Sequence, residues 1–181
     1  DYVSTGRVPP EDTAAAGGLT MSTLTVRPTV EADLPFVLAT EDHARRGGFV
    51  GGWTEAEHRA AMTDPAVVHW TLEAGERVGY LILRGVGGED RNIELKRITL
   101  AVTDRGYGRQ ALRLVKRHTF GALGAHRLWL DVFEHNHRAR HLYESEGFVV
   151  EGVMRECFRT ADGWASLILL SMLEHEYVPS G

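Results

Sequence analysis

Seven segments of the chain carry the apolar and polar patterns that are typical of β-strands. The first is residues 23–28, in which apolar and polar side chains alternate. Six more strand-like segments follow, at residues 66–74, 77–86, 92–102, 126–134, 148–160 and 164–173. Short turns separate the first two and the last two of these six, so each pair is predicted to form an antiparallel hairpin.

Helical patterns occupy most of the chain between these strands. The predicted helices are residues 30–44, 54–62, 136–146 and a segment within 103–120. Thr29 is expected to cap the first helix, and Thr54 with Glu57 has the spacing of a capping box for the second. Gly147 is well placed to end the last helix. The order of the elements predicts an α/β fold, with helices packed against one mixed sheet.

Composition and charge restrict the class of protein. The 181 residues are 43% hydrophobic and carry a formal net charge of -5, as expected of one domain with a substantial core. The acidic balance argues against nucleic acid as a partner. The single cysteine, Cys157, excludes an intramolecular disulfide and fits the cytoplasm, and we expect it to be a buried thiol. No apolar run approaches the roughly 20 residues of a membrane span, so no membrane partner is expected.

The composition also suggests how the chain is divided. Residues 1–20 are rich in Gly, Ala, Pro and Thr and lack the apolar centre of a signal peptide. We interpret them as a disordered leader, either a native extension or a segment added by cloning. Residues 21–177 are then a single domain, and residues 178–181 form a tail.

The stretch "RGYGRQAL" separates a predicted strand from a predicted helix, a place where backbone amides can hold a phosphate. Gly106 and Gly108 permit close approach of a ligand and tolerate positive φ. The first turn of the helix presents free N–H groups, and Arg105 and Arg109 add positive charge. Three further basic residues are assigned to the solvated face of this helix: Arg113, Lys116 and Arg117.

Asn136 and Tyr143 lie seven residues apart in the last predicted helix. Seven residues of α-helix turn through about 700°, so the two side chains project in nearly the same direction, about 10 Å apart along the axis. Taken singly, Asn136 is a helix cap and Tyr143 an aromatic residue at the edge of the core. Together with the preceding glycine turn, they indicate a binding site.

The glycine turn followed by "NHRARHLYESEGF" resembles the GCN5-related N-acetyltransferase (GNAT) family, especially its branch acting on ribosomal-protein N-termini and polyamines. The resemblance extends from Leu24 to Leu173. It implies a mixed, mostly antiparallel sheet of about seven strands with a central, splayed parallel pair, and about four helices. The family's Arg/Gln-x-x-Gly-x-Gly/Ala pattern maps onto Arg105, Gly108 and Gln110, so the last small residue is absent here. This departure leaves the path of the loop open.

The resemblance further implies acetyl-CoA as co-substrate, bound between the strands at 92–102 and 126–134. The pantetheine arm is expected to pair with backbone, the pyrophosphate to meet the amides of the glycine turn, and the Tyr143 hydroxyl to reach the sulfur. The implied cofactor-binding positions are Leu100, Ala101, Val102, Arg105, Gly106, Tyr107, Gly108, Arg109 and Asn136.

Acetyl transfer to an amine needs a neutral amine and a protonated leaving thiolate. Tyr143 suits the role of general acid, because a phenol with a pKa near 10 stays protonated at neutral pH. A backbone N–H near Leu100 is expected to stabilise the developing oxyanion. Glu94 is the expected base by family resemblance, with Glu41, Asp42 or water as alternatives.

Other interpretations stay open at this point. His137 and His141 have the spacing of a metal pair, but no third ligand clusters with them, so no metal is expected. A non-catalytic module that binds or senses acyl-CoA is the alternative to an enzyme. The acceptor is an amine of undefined type, either a small molecule, a polyamine, a peptide N-terminus or an aminoglycoside-like compound. The resemblance also allows a homodimer.

Overall fold

A computed structural model describes residues 23–48 and 51–179 of the chain. The leader predicted at residues 1–20 lies outside the described residues, as does the end of the predicted tail. The described strands are β1 Thr25–Pro28, β2 Val67–Glu73, β3 Arg77–Arg84, β4 Asn92–Leu100, β5 Arg127–Phe133, β6 Val149–Thr160 and β7 Gly163–Leu173. The α-helices are α1 Leu34–Arg46, α2 Glu55–Thr63, α3 Tyr107–Arg117 and α4 His137–Ser145.

Within the described residues the strands form one seven-stranded sheet, in the order β1-β2-β3-β4-β5-β7-β6. Every neighbouring pair is antiparallel except β4 and β5, which are parallel. The predicted fold class, an α/β fold built on a mostly antiparallel mixed sheet with a central parallel pair and four helices, is therefore confirmed. Both predicted hairpins, β2–β3 and β6–β7, are present.

The parallel pair separates after a short paired region. Pairing of β4 with β5 covers Asn92 to Glu94 on one strand and Arg127 to Trp129 on the other. Beyond these positions β4 continues to Leu100 without a partner on its β5 side, because the two strands diverge. A β-bulge in β4, opposite the step from Ile82 to Leu83, accompanies this divergence. The result is a gap in the centre of the sheet.

The two faces of the sheet are packed differently. The face under α3 and α4 carries the main apolar core, which includes Leu81, Leu112 and Leu130. The opposite face, under α1, has a small apolar cluster centred on Tyr80 and Ile82. Alternate residues of β3 therefore enter different layers, as the two-residue period of a strand requires.

Local signals from the sequence correctly predicted several element ends. Thr54 and Glu57 form the predicted capping box at the start of α2, with Thr54 Oγ1 accepting from the Glu57 N–H at 3.2 Å. Gly147 follows α4 with φ 96°, a conformation that glycine adopts without strain.

Three predictions were wrong, each because the tertiary structure decides the surroundings of the residue. Thr29 caps no helix, since its hydroxyl lies in the interior beside Thr71. Lys116 does not lie on a solvated face, because its ammonium group is buried against Glu146. Cys157 is exposed, because this part of β6 is an edge strand without a covering layer. Among the described residues, no helix is long and apolar enough to cross a membrane.

Candidate active site

The N-terminus of α3 faces outward without a cap. Gly106 adopts the left-handed conformation (φ 71°), and α3 begins at the next residue, Tyr107. No side chain of the described residues bonds the first turn, so the N–H groups of Tyr107, Gly108 and Arg109 remain donors without intrahelical partners. With the positive end of the helix dipole, these donors can hold a phosphate group.

Gly108 also has a packing role. A Cβ atom at this position would lie 3.3 Å from Leu142 Cδ2 and 3.6 Å from Leu100 Cδ1, so glycine allows α3 to approach both α4 and the end of β4. Gln110, where the family pattern has a small residue, accepts a hydrogen bond from the Leu24 N–H at 3.1 Å. The glutamine that departs from the family pattern therefore connects α3 to the residue before β1, and the glycine turn is kept.

The free edge of β4 presents backbone groups to the gap. The Ala101 N–H donates to the Val78 carbonyl at 2.8 Å, so Ala101 is engaged with β3. Because successive residues of an antiparallel strand direct their backbone groups to opposite sides, those of Leu100, the last residue of β4, face the gap. Ala101 and Val102 follow in a bend, so strand geometry orients Leu100 alone of the three predicted pantetheine contacts.

The two arginines of the glycine turn differ in their surroundings. The Arg109 guanidinium donates to the buried carboxylate of Glu146 at 2.5 Å, so its side chain bridges α3 and α4. Arg105 is exposed at the turn. Asn136 caps α4, with Oδ1 accepting from the Ala139 N–H at 3.2 Å. In this arrangement the Asn136 carboxamide N–H groups, rather than its oxygen, can meet a ligand.

Tyr143 lies on the buried side of α4, where its ring packs against Phe148 with centroids 6.0 Å apart. Burial, followed by the charge of Asp131, raises the pKa of Tyr143 to about 12. Asp131 lies on β5 just beyond its last position paired with β4. Burial raises the pKa of Asp131 too, while nearby Lys96 opposes this effect. The site thus combines a phenol that stays protonated with a carboxylate of enhanced basicity.

Glu94 is buried at the last paired position of β4, beside the point where the gap begins. Its Oε2 accepts from Arg84 at 2.8 and 2.6 Å, and Oε1 lies 3.6 Å from the Lys96 ammonium. These two cations hold the carboxylate in place.

On the other face of the sheet, Glu41 lines a cavity of about 580 Å³ together with Asp42 and Trp53. Glu41 Oε2 accepts from Tyr80 at 2.6 Å, from Arg97 at 2.5 Å and from His58 at 3.1 Å, and Oε1 accepts from the Trp53 N–H. Burial raises the pKa of Glu41, but the hydrogen bonds outweigh burial and lower it to about 2.

Asp42 does not share the hydrogen bonds of Glu41, because its carboxylate forms ion pairs with Arg45 and Arg46. The Trp53 ring lies 5.4 Å from the Arg97 guanidinium, a cation–π contact that connects the cavity to β4.

Sequence reasoning missed Asp131, the contact of His58 with Glu41 and the contact of His69 with His58. Asp131 interrupts an apolar strand segment between Leu130 and Val132, and an acid in a central strand was the available signal. His58 and His69 carried no such signal, since each is a single histidine in a different element.

The chain is similar in sequence to known acetyltransferases. The sequence model of the acetyltransferase (GNAT) domain matches residues 23–149. An uncharacterized N-acetyltransferase of Mycobacterium tuberculosis is 36% identical over 93 residues, which are 50% of this chain and 58% of that protein. Spermidine N(1)-acetyltransferase of Escherichia coli is 27% identical over 105 residues, 58% of this chain and 56% of the enzyme. The chain thus spans little more than half the length of these curated relatives.

Among solved structures, spermidine N-acetyltransferase from Vibrio cholerae, in complex with CoA and spermine, has a TM-score of 0.78 to this chain. The match covers 86% of this chain and 98% of the Vibrio protein at 23% sequence identity. At that level of identity the likeness concerns the fold.

Proposed function

The chain belongs to the GNAT acetyltransferase family, and from this premise we propose that it transfers an acetyl group from acetyl-CoA directly to a primary amine. The observation that carries the proposal is the gap between β4 and β5, beyond Glu94 and Trp129. Free backbone groups of β4, the uncapped start of α3 and the buried Tyr143 surround this gap. A cytoplasmic location and assembly as a homodimer belong to the same proposal.

Three groups of residues fit acetyl-CoA. The amides of Gly106, Tyr107, Gly108 and Arg109 are donors for the pyrophosphate, with Arg105 adding charge at the rim. Leu100 and Val102 pair with the pantetheine amides, with Ala101 holding the strand in place between them. Asn136 donates from its carboxamide to the end of the arm. When bound, the thioester supplies an activated acetyl group.

Tyr143 acts as the general acid. Its pKa of about 12 keeps the phenol protonated at every physiological pH, so the proton is available when the sulfur departs. The Leu100 N–H is oriented to stabilise negative charge on the acetyl oxygen. Proximity in a ternary complex supplies much of the remaining rate, without a covalent enzyme intermediate.

Glu94 and Asp131 are the candidates for the base that accepts the proton of the amine. Glu94 lies at the start of the gap but is held by Arg84 and Lys96. No described residue forms an ion pair with Asp131, and burial raises its pKa, which favours Asp131 as a proton acceptor. Replacement of each by its amide distinguishes them, because loss of the base removes the acidic limb of the kcat/KM profile.

Each of two cavities is lined by two acidic side chains and one basic one. Glu41 and Asp42 lie with Arg45 in the first, and Glu134 and Glu156 lie with Arg155 in a second, open cavity of about 920 Å³ beside the β6–β7 hairpin. The excess of negative charge in both favours a cationic acceptor. The Escherichia coli and Vibrio cholerae relatives are named for spermidine, a polycation. We propose a polyamine or another amine-bearing compound as acceptor.

An amine-panel assay that detects released thiol tests the function. We expect turnover with at least one cationic amine, and Tyr143→Phe is expected to lower kcat about 100-fold while CoA binding by calorimetry is unchanged. Tyr177→Phe, a change in a tyrosine that stacks on Phe120 away from the gap, is the matched control and should retain full activity.

Two outcomes would contradict the proposal in different ways. An unchanged rate for Tyr143→Phe would remove this residue from the chemistry. CoA binding without turnover of any amine would favour the alternative, a non-catalytic module that binds or senses acyl-CoA.

A further inference from the structure

The chain has two lysines among its 20 lysine and arginine residues, Lys96 and Lys116. Lys116 is buried on α3, where its ammonium group lies 2.9 Å from the Glu146 carboxylate. Lys96 lies on β4 beside the gap, and its side chain is 27% exposed. Lys96 is therefore the more accessible of the two amines, and it lies where the proposed acetyl transfer takes place.

A β-bulge places Lys96 at this position. Ile82 pairs with Arg97 and Leu83 pairs with Leu95, so Lys96 is the extra residue of β4. It follows the last position at which β4 pairs with β5 by two residues. No residue of β3 is paired with Lys96, and β5 has already diverged at this point. The bulge therefore separates Lys96 from the regular pairing on both sides.

The Lys96 ammonium group lies near a carboxylate from each of the two diverging strands. Its Nζ lies 3.6 Å from Glu94 Oε1 on β4. Asp131 on β5 lies two positions beyond Trp129, the partner of Glu94. Burial raises the pKa of Asp131, and the charge of Lys96 is the largest opposing influence. Lys96 thus supplies positive charge to both candidate bases.

The Lys96 side chain is long enough to reach an acetyl group held at the Leu100 N–H. Leu100 lies four positions further along β4, which is about 13 Å between the two Cα atoms. An extended lysine side chain covers about 6 Å of this distance. A carbonyl carbon whose oxygen accepts from the Leu100 N–H lies about 4 Å from that nitrogen. The remainder of about 3 Å is the contact distance of a nucleophile and its target.

We propose that Lys96 is a self-acetylation site, which accepts the acetyl group of acetyl-CoA bound to the same chain. The inference rests on the proposed function, because it uses the same thioester and the same general acid. The Lys96 ammonium group gives one proton to Asp131, and the neutral Nζ attacks the thioester carbon. An N–C bond forms, the C–S bond breaks, and the sulfur takes the proton of Tyr143. The second proton of the attacking nitrogen restores the Tyr143 phenol, and the proton on Asp131 passes to solvent.

Self-acetylation removes a positive charge from the gap and so changes the pH dependence of the enzyme. The charged and titratable groups that face Asp131 are Lys96, Glu94, Arg84, Arg97 and Tyr143. Without the charge of Lys96, the pKa of Asp131 rises. A base with a higher pKa is already protonated at a higher pH, so the acidic limb of the kcat/KM profile moves up by about half a pH unit. The acetylated enzyme is therefore slower at acid pH.

Incubation with acetyl-CoA that carries a deuterated acetyl group, followed by peptide mass spectrometry, tests the inference. We expect the label on Lys96 and not on Lys116, with a rate constant that does not depend on protein concentration because the transfer occurs within one chain. Tyr143→Phe is expected to slow labelling about 100-fold. Tyr177→Phe, the matched control, should be labelled at the wild-type rate. Lys96→Arg should abolish the labelling of this peptide.

A matched pair of variants at Lys96 tests the effect of charge. Lys96→Gln resembles the acetylated side chain, whereas Lys96→Arg keeps the positive charge. The acidic limb of Lys96→Gln should lie about half a pH unit above that of Lys96→Arg. Wild-type enzyme that has been labelled at Lys96 should agree with Lys96→Gln. Coinciding acidic limbs in the two variants would refute the effect on pH dependence.

The outcomes separate this inference from the proposed function. If free amines are acetylated while Lys96 stays unlabelled, the inference fails and the proposed function stands. Labelling that Tyr143→Phe does not slow, or a rate constant that rises with protein concentration, would also overturn it, because the acetyl group would then come from solution chemistry or from another chain. If CoA binds but neither Lys96 nor any free amine is acetylated, both fail. Labelling of Lys96 without turnover of free amines supports the inference and refutes the proposed acceptor.

Discussion

Two buried glutamates on opposite sides of the sheet, Glu146 and Glu41, have the same pKa of about 2 for different reasons. Glu146, at the end of α4, is bound by three permanent cations, Arg109, Arg113 and Lys116. Glu41, in α1, has one arginine and otherwise accepts from a phenol, an imidazole and a backbone N–H.

The difference is one of charge. All three partners of Glu146 are cationic side chains of α3, so ion pairs connect α3 to the end of α4 and fix the glycine turn relative to Tyr143. Glu41 is linked through His58 to the buried imidazole of His69. After the roles proposed above, we call the region around Glu146 the cofactor side and the region around Glu41 the acceptor side. Ion pairs hold the first, and mostly uncharged donors hold the second.

The largest expected loss of stability comes from a substitution on the cofactor side. Glu146→Gln leaves three neighbouring cations without their carboxylate, one of them the buried Lys116. Removal of one partner from a buried ion pair costs about 3–5 kcal/mol, so the free energy of unfolding in urea should fall by that amount. Glu144→Gln, at an exposed position paired only with Arg140 at 3.4 Å, is the control and should change stability by less than about 0.5 kcal/mol. Equal losses in the two variants would refute the role of Glu146 as a connection.

A smaller loss is expected from the corresponding change on the acceptor side. In Glu41→Gln the single amide oxygen can keep the hydrogen bonds that Oε2 accepts from Tyr80, Arg97 and His58. The losses are then the negative charge beside Arg97 and the hydrogen bond that Oε1 accepts from the Trp53 N–H. We expect a decrease of about 2 kcal/mol in the free energy of unfolding. The double variant with Arg97→Met should recover part of it, because no uncompensated charge then remains. If Glu41→Gln lowered the free energy of unfolding as much as Glu146→Gln does, the distinction between the acceptor side and the cofactor side would be refuted.

The effect that is smallest at neutral pH is a dependence of stability on pH in the acid range. Both glutamates have folded-state pKa values below the ordinary 4.5, so their contribution is complete above about pH 4.5 and is lost as the pH falls towards 2. Each carboxylate contributes a slope of at most about 1.4 kcal/mol per pH unit in that window. Urea unfolding at several pH values should show this slope reduced in Glu146→Gln. An identical acid profile in the variant would mean that Glu146 is not ionised through this window.

The sequence by itself determined the order and type of the elements. The signals for these elements are local, because each depends on residues that are close in the sequence. They are the alternation in the strands, the Thr54 capping box and the glycine after α4. The motif around Asn136 and Tyr143 is likewise local, since both residues belong to one helix.

Only the tertiary structure decided which charged and polar side chains are buried together. Lys116 and Glu146 meet across 30 positions of the sequence, and Thr29 and Thr71 across 42. Lys116 has the pattern of a surface residue and Thr29 that of a cap, because the interior of a protein is charged or polar only where distant partners compensate. Such compensation has no local signature. The family motif could therefore be recognised in the sequence, whereas the Glu41 network formed only when α1, α2 and three strands came together.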